Sequence, residues 1–148
     1  MSMVADILSF KSNTVVTVSE DASILDAAQV MNQHRIGSVV VMGTTEASGS
    51  SVIGILTERD VLTRVVAAVR DPRHTRVSEV MTTPVETCTP TTLLEDLRRV
   101  MKDRRIRHVP VVEGSALRGM VSIGDLNAHD SMALAGTVEV LEAYITRS

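Results

Sequence analysis

The sequence predicts an α+β fold in which two β-α-β-β-α repeats pack with pseudo-twofold symmetry and a C-terminal helix follows. The main observation is an internal duplication, which decides the architecture before any single element does. Residues 23–36 match residues 93–106 at a constant offset of 70, and residues 54–60 match residues 119–125 at an offset of 65. The offsets differ by five residues, which fits the Gly/Ser/Thr-rich stretch 43–51 as a longer loop in the first copy.

The duplication divides the chain into four parts. We expect repeat 1 at residues 1–70, a linker at 71–76, repeat 2 at 77–130 and the C-terminal helix at 131–148. The linker contains Pro72, and proline rarely continues a helix. A unit of about 60 residues is too small to bury its own sheet well, so the two copies should pack together and form two related clefts.

Short strands account for most of the apolar runs. Matched lead-in segments at 4–8 and 77–81 precede β-rich runs at 15–18 and 85–87. Two further apolar runs then predict a pair of buried strands in each repeat. These pairs are 39–42 with 52–56 and 109–112 with 119–121.

Two helices complete each repeat. The first has apolar residues at helical spacing: Ile24, Ala27, Ala28 and Met31 in repeat 1, and Leu94, Leu97, Val100 and Met101 in repeat 2. Both begin with a capping-box pattern, Ser23-x-x-Asp26 and Thr92-x-x-Glu95. The second helix of repeat 1 has an apolar stripe that needs a partner surface, formed by Val61, Leu62, Val65, Val66 and Val69. Residues 137–146, with Val138, Leu141 and Ile145 on one face, predict a final helix.

Composition favours a globular protein and disfavours several function classes. With 44% apolar residues the chain can form a core, and its net charge of −3 provides no general field for nucleic acid or an anionic membrane. The two aromatic residues, Phe10 and Tyr144, do not supply a stacking platform for single strands. No apolar run reaches the roughly 18 residues of a membrane span, and Asp6 is unlike a signal peptide, so we expect a cytoplasmic protein. The single Cys88 excludes an internal disulfide, and the four histidines lack metal-ligand spacing.

The pattern Gly-x-x-Thr/Ser-x-x-Asp occurs once in each repeat, with Thr57 and Asp60 in the first copy and Ser122 and Asp125 in the second. A helix N-terminus favours a phosphate, a hydroxyl adds a donor, and a carboxylate can accept hydrogen bonds from ribose hydroxyls. The same pattern is that of a capping box with Asp as its fourth member. Both interpretations are open at this point.

Arg107 and His108 stand at the start of the predicted strand 109–112. Two potential cations beside a buried strand are poorly explained by packing, and the guanidinium fork suits phosphate oxygens. The alternative is a solvated basic patch continuous with Arg104 and Arg105. No serine or cysteine nucleophile lies near His108 in the sequence, so catalysis has little support.

The duplicated unit, the run 106–111 and the doubled Gly-x-x-Thr/Ser-x-x-Asp element resemble a tandem pair of cystathionine β-synthase (CBS) domains, a Bateman module, over residues 4–130. The runs 54–60 and 119–125 resemble in particular the small stand-alone CBS-pair proteins. The resemblance implies a regulatory sensor of adenosyl ligands and not an enzyme. The ligands are AMP, ADP or ATP most often, and NAD or S-adenosylmethionine in some members. It also implies a homodimer of pairs that forms a flat disc.

The resemblance implies a site built from both repeats. Asp60 and Asp125 would hold ribose hydroxyls, with Thr57 and Ser122 near the phosphate or ribose. Arg107 and His108 occupy positions that meet phosphates in nucleotide-binding relatives. The adenine edge would be met by backbone at Val16, Thr17, Thr83, Pro84 and Val85, and the aliphatic walls would be Ile106, Val109, Pro110 and Met120.

Repeat 1 departs from this pattern. Gly37 and Ser38 stand where repeat 2 has its Arg-His pair, so its own phosphate donors are missing, although Ser38 remains a candidate contact. We expect Arg59 to reach across the pseudo-twofold axis and compensate. The prediction is that the clefts are unequal and that the Asp125 cleft binds a phosphorylated ligand more tightly.

Three other functions are open. A small enzyme would use His108 or Cys88, and turnover of a nucleotide would favour it. An interaction scaffold with vestigial clefts would melt at the same temperature with and without adenosyl ligands. A weak nucleic-acid binder would work through Arg104, Arg105 and Arg107, and its affinity for oligonucleotides would depend strongly on salt.

Overall fold

The computed structural model describes residues 1–11, 15–44 and 51–147, and it confirms the predicted α+β class. Residues 45–50 of the predicted inter-strand loop lie outside the described ranges. The helices are α1 (Val4–Leu8), α2 (Ile24–His34), α3 (Glu58–Val61), α4 (Leu94–Arg104) and α5 (Ile123–Arg147), with a π-helical segment at Leu62–Val66 and a 3-10 turn at Val77–Glu79. The strands are β1 (Thr17–Ser19), β2 (Ser38–Met42), β3 (Val52–Thr57), β4 (His108–Glu113) and β5 (Ala116–Ser122).

The two sheets differ in the number of their strands. In repeat 1, β1 runs parallel to β2 and β2 runs antiparallel to β3, whereas repeat 2 has the antiparallel pair β4 and β5. The predicted β-rich run at 85–87 is wrong, because only Cys88 bridges to β4, opposite Val111. The preceding chain pairs with repeat 1 instead. Thr82 N donates to Ile55 O at 2.8 Å, and Ile55 N donates to Thr82 O at 3.1 Å.

The lead-in segments are exchanged between the repeats. Val4 and Ile7 of α1 are buried in the core of repeat 2, together with Leu94, Leu97, Met101, Val109, Val111, Val121 and Leu126. Val77 and Val80, which follow the linker, are buried in the core of repeat 1, together with Ile24, Ala27, Met31, Val39, Val41, Leu56 and Val65. Each core is therefore completed by a lead-in segment from the opposite side of the linker.

The same exchange fixes the start of α4. The predicted Thr92 cap is wrong, because Leu93 is the N-cap residue and Thr92 Oγ1 accepts a hydrogen bond from Thr89 N at 3.0 Å. The first amide of the helix, Leu94 N, donates to Ser2 O at 3.0 Å. A backbone carbonyl of the lead-in segment thus takes the place of the expected side-chain cap.

The start of α2 follows the prediction more closely. Ser23 Oγ accepts a hydrogen bond from Asp26 N at 3.1 Å, as a serine cap should. Ile24 N donates to Thr75 O at 2.9 Å, which is the counterpart of the contact between Leu94 and Ser2. The pseudo-twofold relation therefore includes the backbone hydrogen bonds that join each helix to its exchanged segment.

An apolar surface on the segment that follows α3 is open to solvent in the described chain. Leu62, Val66 and Val69 are 61%, 62% and 91% exposed, but Val65 is 1% exposed and belongs to the core, so its assignment to the predicted stripe is wrong. Wider i→i+5 hydrogen bonds, including Ala67 N to Leu62 O at 2.9 Å, shape this segment. The closing helix of repeat 2 and the expected terminal helix are one continuous helix, α5. Among the described residues, no helix has both the length and the apolar content to cross a bilayer.

The exchange predicts which core substitutions interact. Ile7→Ala should lower the free energy of unfolding by about 2–5 kcal/mol, because Ile7 is 4% exposed. Combined with Leu97→Ala, in the same core, it should be non-additive by about 0.5 kcal/mol or more, whereas its combination with Ile24→Ala should be additive within that margin. Urea unfolding of the single and double variants measures both couplings. Coupling to Ile24 and additivity with Leu97 would contradict the exchange.

Candidate functional site

A cleft of about 1290 Å³ has walls from both repeats. Six of the predicted site residues line it: Thr57, Arg59, Asp60, Ile106, Arg107 and His108. Three come from the β3–α3 junction of repeat 1 and three from the turn into β4 of repeat 2. Small-molecule sites commonly enclose about 300–1,000 Å³, so the cleft has room for a ligand of nucleotide size.

Asp60 is 8% exposed and forms the predicted capping box at the start of α3. Its Oδ2 accepts from Thr57 N at 3.0 Å, and Asp60 N donates to Thr57 Oγ1 at 3.1 Å. The Thr82 hydroxyl lies 3.2 Å from both carboxylate oxygens, and Arg64 Nε lies 3.9 Å from Oδ1. An ionised carboxylate has about four acceptor positions, so Oδ1 retains capacity for a further donor. Capping and ligand binding are therefore compatible at this residue.

Asp125 forms the equivalent box at the start of α5, but it has an additional partner. Ser122 N donates to Asp125 Oδ2 at 2.8 Å, and Asp125 N donates to Ser122 Oγ at 3.1 Å. Lys11 Nζ lies 2.7 Å from the same Oδ2 and also donates to Met120 O at 2.8 Å. Burial would raise the pKa of Asp125, but the Lys11 ammonium and the Ser122 amide outweigh it, and the pKa lies below its ordinary value of 3.8. In the described chain, neither Asp125 nor Ser122 lines the cleft that contains Asp60.

The glycine of each motif has a packing role. A Cβ at Gly54 would lie 2.7 Å from Met81 Sδ, and a Cβ at Gly119 would lie 2.7 Å from Leu8 Cδ2. In both repeats the exchanged lead-in segment therefore lies directly against the strand that leads into the motif. The glycines let the lead-in segments, with Thr82 and Lys11 just beyond them, approach the two acids.

Positive charge is concentrated in the cleft. Five cationic side chains line it, Arg59, Arg98, Lys102, Arg105 and Arg107, against the two carboxylates of Glu58 and Asp60, which gives +3 in a chain whose net charge is −3. Arg98 bonds Asp130 Oδ2 at 2.5 Å, while the other four form no ion pair with any described residue. Such a site favours an anionic ligand.

Sequence reasoning missed part of this charge. Arg98 and Lys102 were not predicted, and Arg105 was named only in the alternative interpretations. The three residues follow the i, i+4, i+7 spacing of one helical face, which is the signal that would have grouped them. Arg104, assigned to the same basic patch in the alternative interpretation, lies 3.6 Å from Glu86 Oε1 and does not line the cleft.

His108 is half-buried at the start of β4, paired with Ser122 on β5. Burial lowers its pKa below the ordinary value of 6.5; Asp125 and Glu58 oppose this shift, and Lys11 and Arg107 reinforce it. The ring is therefore neutral at pH 7. It can gain a proton when an anion binds beside it.

The remaining predicted residues lie elsewhere in the fold. Ser38, Val109 and Pro110 are buried in strands, Met120 receives Lys11 on its carbonyl, and Val16 and Thr17 lie at or before β1. The Thr83 hydroxyl donates to Ile53 O at 3.0 Å, which holds Thr83 beside β3, and Pro84 and Val85 follow it outside the strands. Within the described chain these residues do not line the cleft, and their predicted roles stay predictions.

Cys88 behaves as a core residue. It is 6% exposed, and burial raises the pKa of its thiol to about 11. A protonated, buried thiol is a poor nucleophile. Among the described residues, no cluster of three or more His, Cys, Asp or Glu side chains could hold a metal ion.

Known proteins share both the sequence and the fold. The mitochondrial CBS domain-containing protein CBSX3 of Arabidopsis thaliana is 38% identical over 108 residues, which cover 72% of this chain and 52% of that protein, so the match spans about half of that relative. A CBS-domain-containing protein of Agrobacterium tumefaciens is 38% identical with a TM-score of 0.76, covering 85% of this chain and 91% of that one. The CBS domain pair of protein MJ0100 was solved with 5′-methylthioadenosine and S-adenosyl-L-methionine. Its TM-score is 0.76, and the match covers 90% of this chain and 98% of that one. At 24% identity this likeness shows a shared fold alone.

The sequence matches the CBS domain family twice, over residues 4–67 and 77–130. The two matched stretches contain the duplicated elements and both Gly-x-x-Thr/Ser-x-x-Asp motifs. The chain therefore belongs to the CBS domain family, as a tandem pair.

Proposed function

We propose that this CBS pair is a non-catalytic regulatory module that binds an adenosyl ligand in the cleft that contains Asp60. The candidate ligands are AMP, ADP, ATP, NAD and S-adenosylmethionine. One observation carries the proposal: the cleft combines a buried carboxylate that has acceptor capacity with four cationic side chains that have no ion-pair partner among the described residues. A ligand with a sugar diol at one end and phosphates at the other complements both features.

The charges suggest how such a ligand would lie. Asp60 Oδ1 would accept from a ribose hydroxyl, in competition with the Thr82 hydroxyl that now bonds it. The phosphates would lie toward Arg59, Arg107 and His108. Apolar side chains of Ile55, Met101, Ile106 and Ile123 line the same cleft and would flank the base.

This proposal assigns the leading role to the Asp60 cleft, where the sequence favoured the Asp125 cleft. Two observations support the change. Arg107 and His108 line the cleft with Asp60, and Asp125 is already bonded to a cation of the chain itself. Arg59 lines the same cleft, which supports its proposed role as a compensating phosphate donor.

The regulatory output requires a surface that ligand binding can change. The exposed side chains of Leu62, Val66 and Val69 form an apolar surface of the kind that marks protein–protein contacts. Beside it lies a groove of about 570 Å³ lined also by Ala28 and Met31. A homodimer of pairs would cover this surface. Ligand binding would then act by favouring one arrangement of the dimer, since a ligand with equal affinity for two states shifts neither.

Substitution of Asp60 tests the binding site. Asp60→Asn keeps the size of the side chain and a capping oxygen but removes the charge, and it should weaken ligand binding by about 10- to 150-fold, the range for a charge-assisted hydrogen bond of about 1.5–3 kcal/mol. Isothermal titration with each of the five candidate ligands measures the change. Asp103→Asn, at an exposed position of α4, is the matched control and should bind as the wild type does. Undiminished affinity in Asp60→Asn would place the ligand elsewhere.

The pH dependence tests the role of His108. Because burial lowers its pKa in the free protein and a neighbouring phosphate would raise it, binding should take up a proton. ATP affinity should therefore rise severalfold as the pH falls from about 8 to about 6, since a pKa difference of about one between the two states gives at most about tenfold, and only at a pH well below both pKa values. Titration of the ligand's own phosphate affects every variant, so the slope difference between wild type and His108→Gln isolates the histidine. Identical slopes would exclude proton uptake by His108.

The dimer surface can be tested separately. The double substitution Leu62→Glu with Val66→Glu introduces two charges into the apolar surface and should convert a dimer to monomers in sedimentation velocity. Thr63→Glu places one charge at an exposed position of the same segment and serves as the control. A sedimentation coefficient unchanged by the double substitution would contradict this surface as the dimer contact.

A further inference from the structure

Lys11, which follows the first lead-in segment, forms an ion pair with Asp125 of repeat 2. Its ammonium lies 2.7 Å from Asp125 Oδ2 and donates to Met120 O at 2.8 Å. The lysine and aspartate side chains are 34% and 22% exposed, so the pair is partly shielded from water. Two acceptors fix one ammonium, which distinguishes this contact from a surface ion pair held by a single flexible contact.

The equivalent position in the other half of the molecule is different. There the exchanged segment that follows the linker contributes Thr82, whose neutral hydroxyl lies 3.2 Å from both oxygens of Asp60. Both acids form the same capping box with the preceding Thr57 or Ser122. Arg64 Nε also lies near Asp60 Oδ1, but at 3.9 Å it is beyond hydrogen-bond length. Within that length the two acids differ in the partner that the lead-in segment supplies, which is a hydroxyl at Asp60 and an ammonium at Asp125.

The structure assigns to Lys11 the role of limiting the pair to one ligand: we infer that its ammonium occupies Asp125 Oδ2, one of the two oxygens with which this carboxylate would otherwise accept from the paired ribose hydroxyls of a second adenosyl ligand. This inference rests on the proposed function of the Asp60 cleft. A ribose hydroxyl can displace the Thr82 hydroxyl by exchanging one neutral donor for another. At Asp125 a ribose diol that bonds both carboxylate oxygens would have to replace the charge-assisted bond at Oδ2 with a weaker one, and the displaced ammonium would lose its contact with Met120 as well.

The Lys11 contact also explains why duplication of the motif need not give two equal sites. Both motifs keep their glycine, hydroxyl and acid, so the sequence alone suggests two clefts of one kind. The difference lies outside both motifs, at a residue 114 positions away from the acid that it occupies. Lys11 therefore sets the number of ligands without belonging to either motif.

Isothermal titration of wild type, Lys11→Met and Lys11→Arg with ATP tests the inference. Methionine keeps the apolar stem of the lysine and removes the charge, whereas arginine keeps the charge. We expect about one ATP per chain for wild type and Lys11→Arg, and about two for Lys11→Met, with the second site strengthened tenfold or more. Thermal melting establishes that each variant is folded, and Lys11→Gln replaces the methionine variant if that one is not. Adding Asp125→Asn to Lys11→Met should return the count to one.

Each other result counts against the inference in a distinguishable way. One ATP in Lys11→Met at unchanged affinity would overturn the role of Lys11 and leave the proposed function intact. Loss of the single site in Lys11→Met would make Lys11 a ligand contact, which overturns the inference. Two ATP per chain in the wild type would show that the ammonium does not exclude a ligand, which overturns it as well. If neither protein binds any of the five candidate ligands, the proposed function fails and the inference fails with it.

Discussion

The exchange of lead-in segments is the constraint on which the rest of the structure depends. Val4 and Val77 are both fully buried, each in the core of the repeat that lies on the other side of the linker. Neither repeat can leave the other without opening both cores, so the relative position of the repeats is set by apolar burial, the dominant stabilising term in folding. The cleft between them is a product of that arrangement. The same segments supply Thr82 and Lys11, the residues that bond the two motif acids.

Much of the fold could be predicted because its signals are local. The apolar spacing in α2 and α4, the strand pairs and the Ser23 cap depend on residues a few positions apart, and duplication doubled the information for each. The errors involve long-range contacts. Residues 85–87 have strand-like composition, but the pairing of Thr82 with Ile55 draws the chain toward repeat 1. Thr92 has the sequence of a cap, but the first helical amide, Leu94 N, donates to the Ser2 carbonyl.

The site shows the same division. Pattern and charge in the sequence pointed to the two motif acids, Arg107 and His108 as candidate site residues, and of these Asp60, Arg107 and His108 line the cleft. Which of them share a cleft could not be found from sequence, since the answer depends on how the repeats face each other. Arg107 and His108 belong to repeat 2, which contains the Asp125 motif, but they line the cleft that contains Asp60. The contact between Lys11 and Asp125 joins residues 114 positions apart and has no local signal in the sequence.

The distribution of charge connects binding to regulation. A chain of net charge −3 places five cationic side chains around one cleft, and they come from both repeats: Arg59 from α3, and Arg98, Lys102, Arg105 and Arg107 from α4 and the turn after it. Like charges that line one cleft repel each other, and the repulsion acts between the repeats as well as within one of them. A bound phosphate would replace that repulsion with attraction to both walls. Its affinity would then depend on the separation of the repeats, which is the differential binding that a regulatory ligand requires.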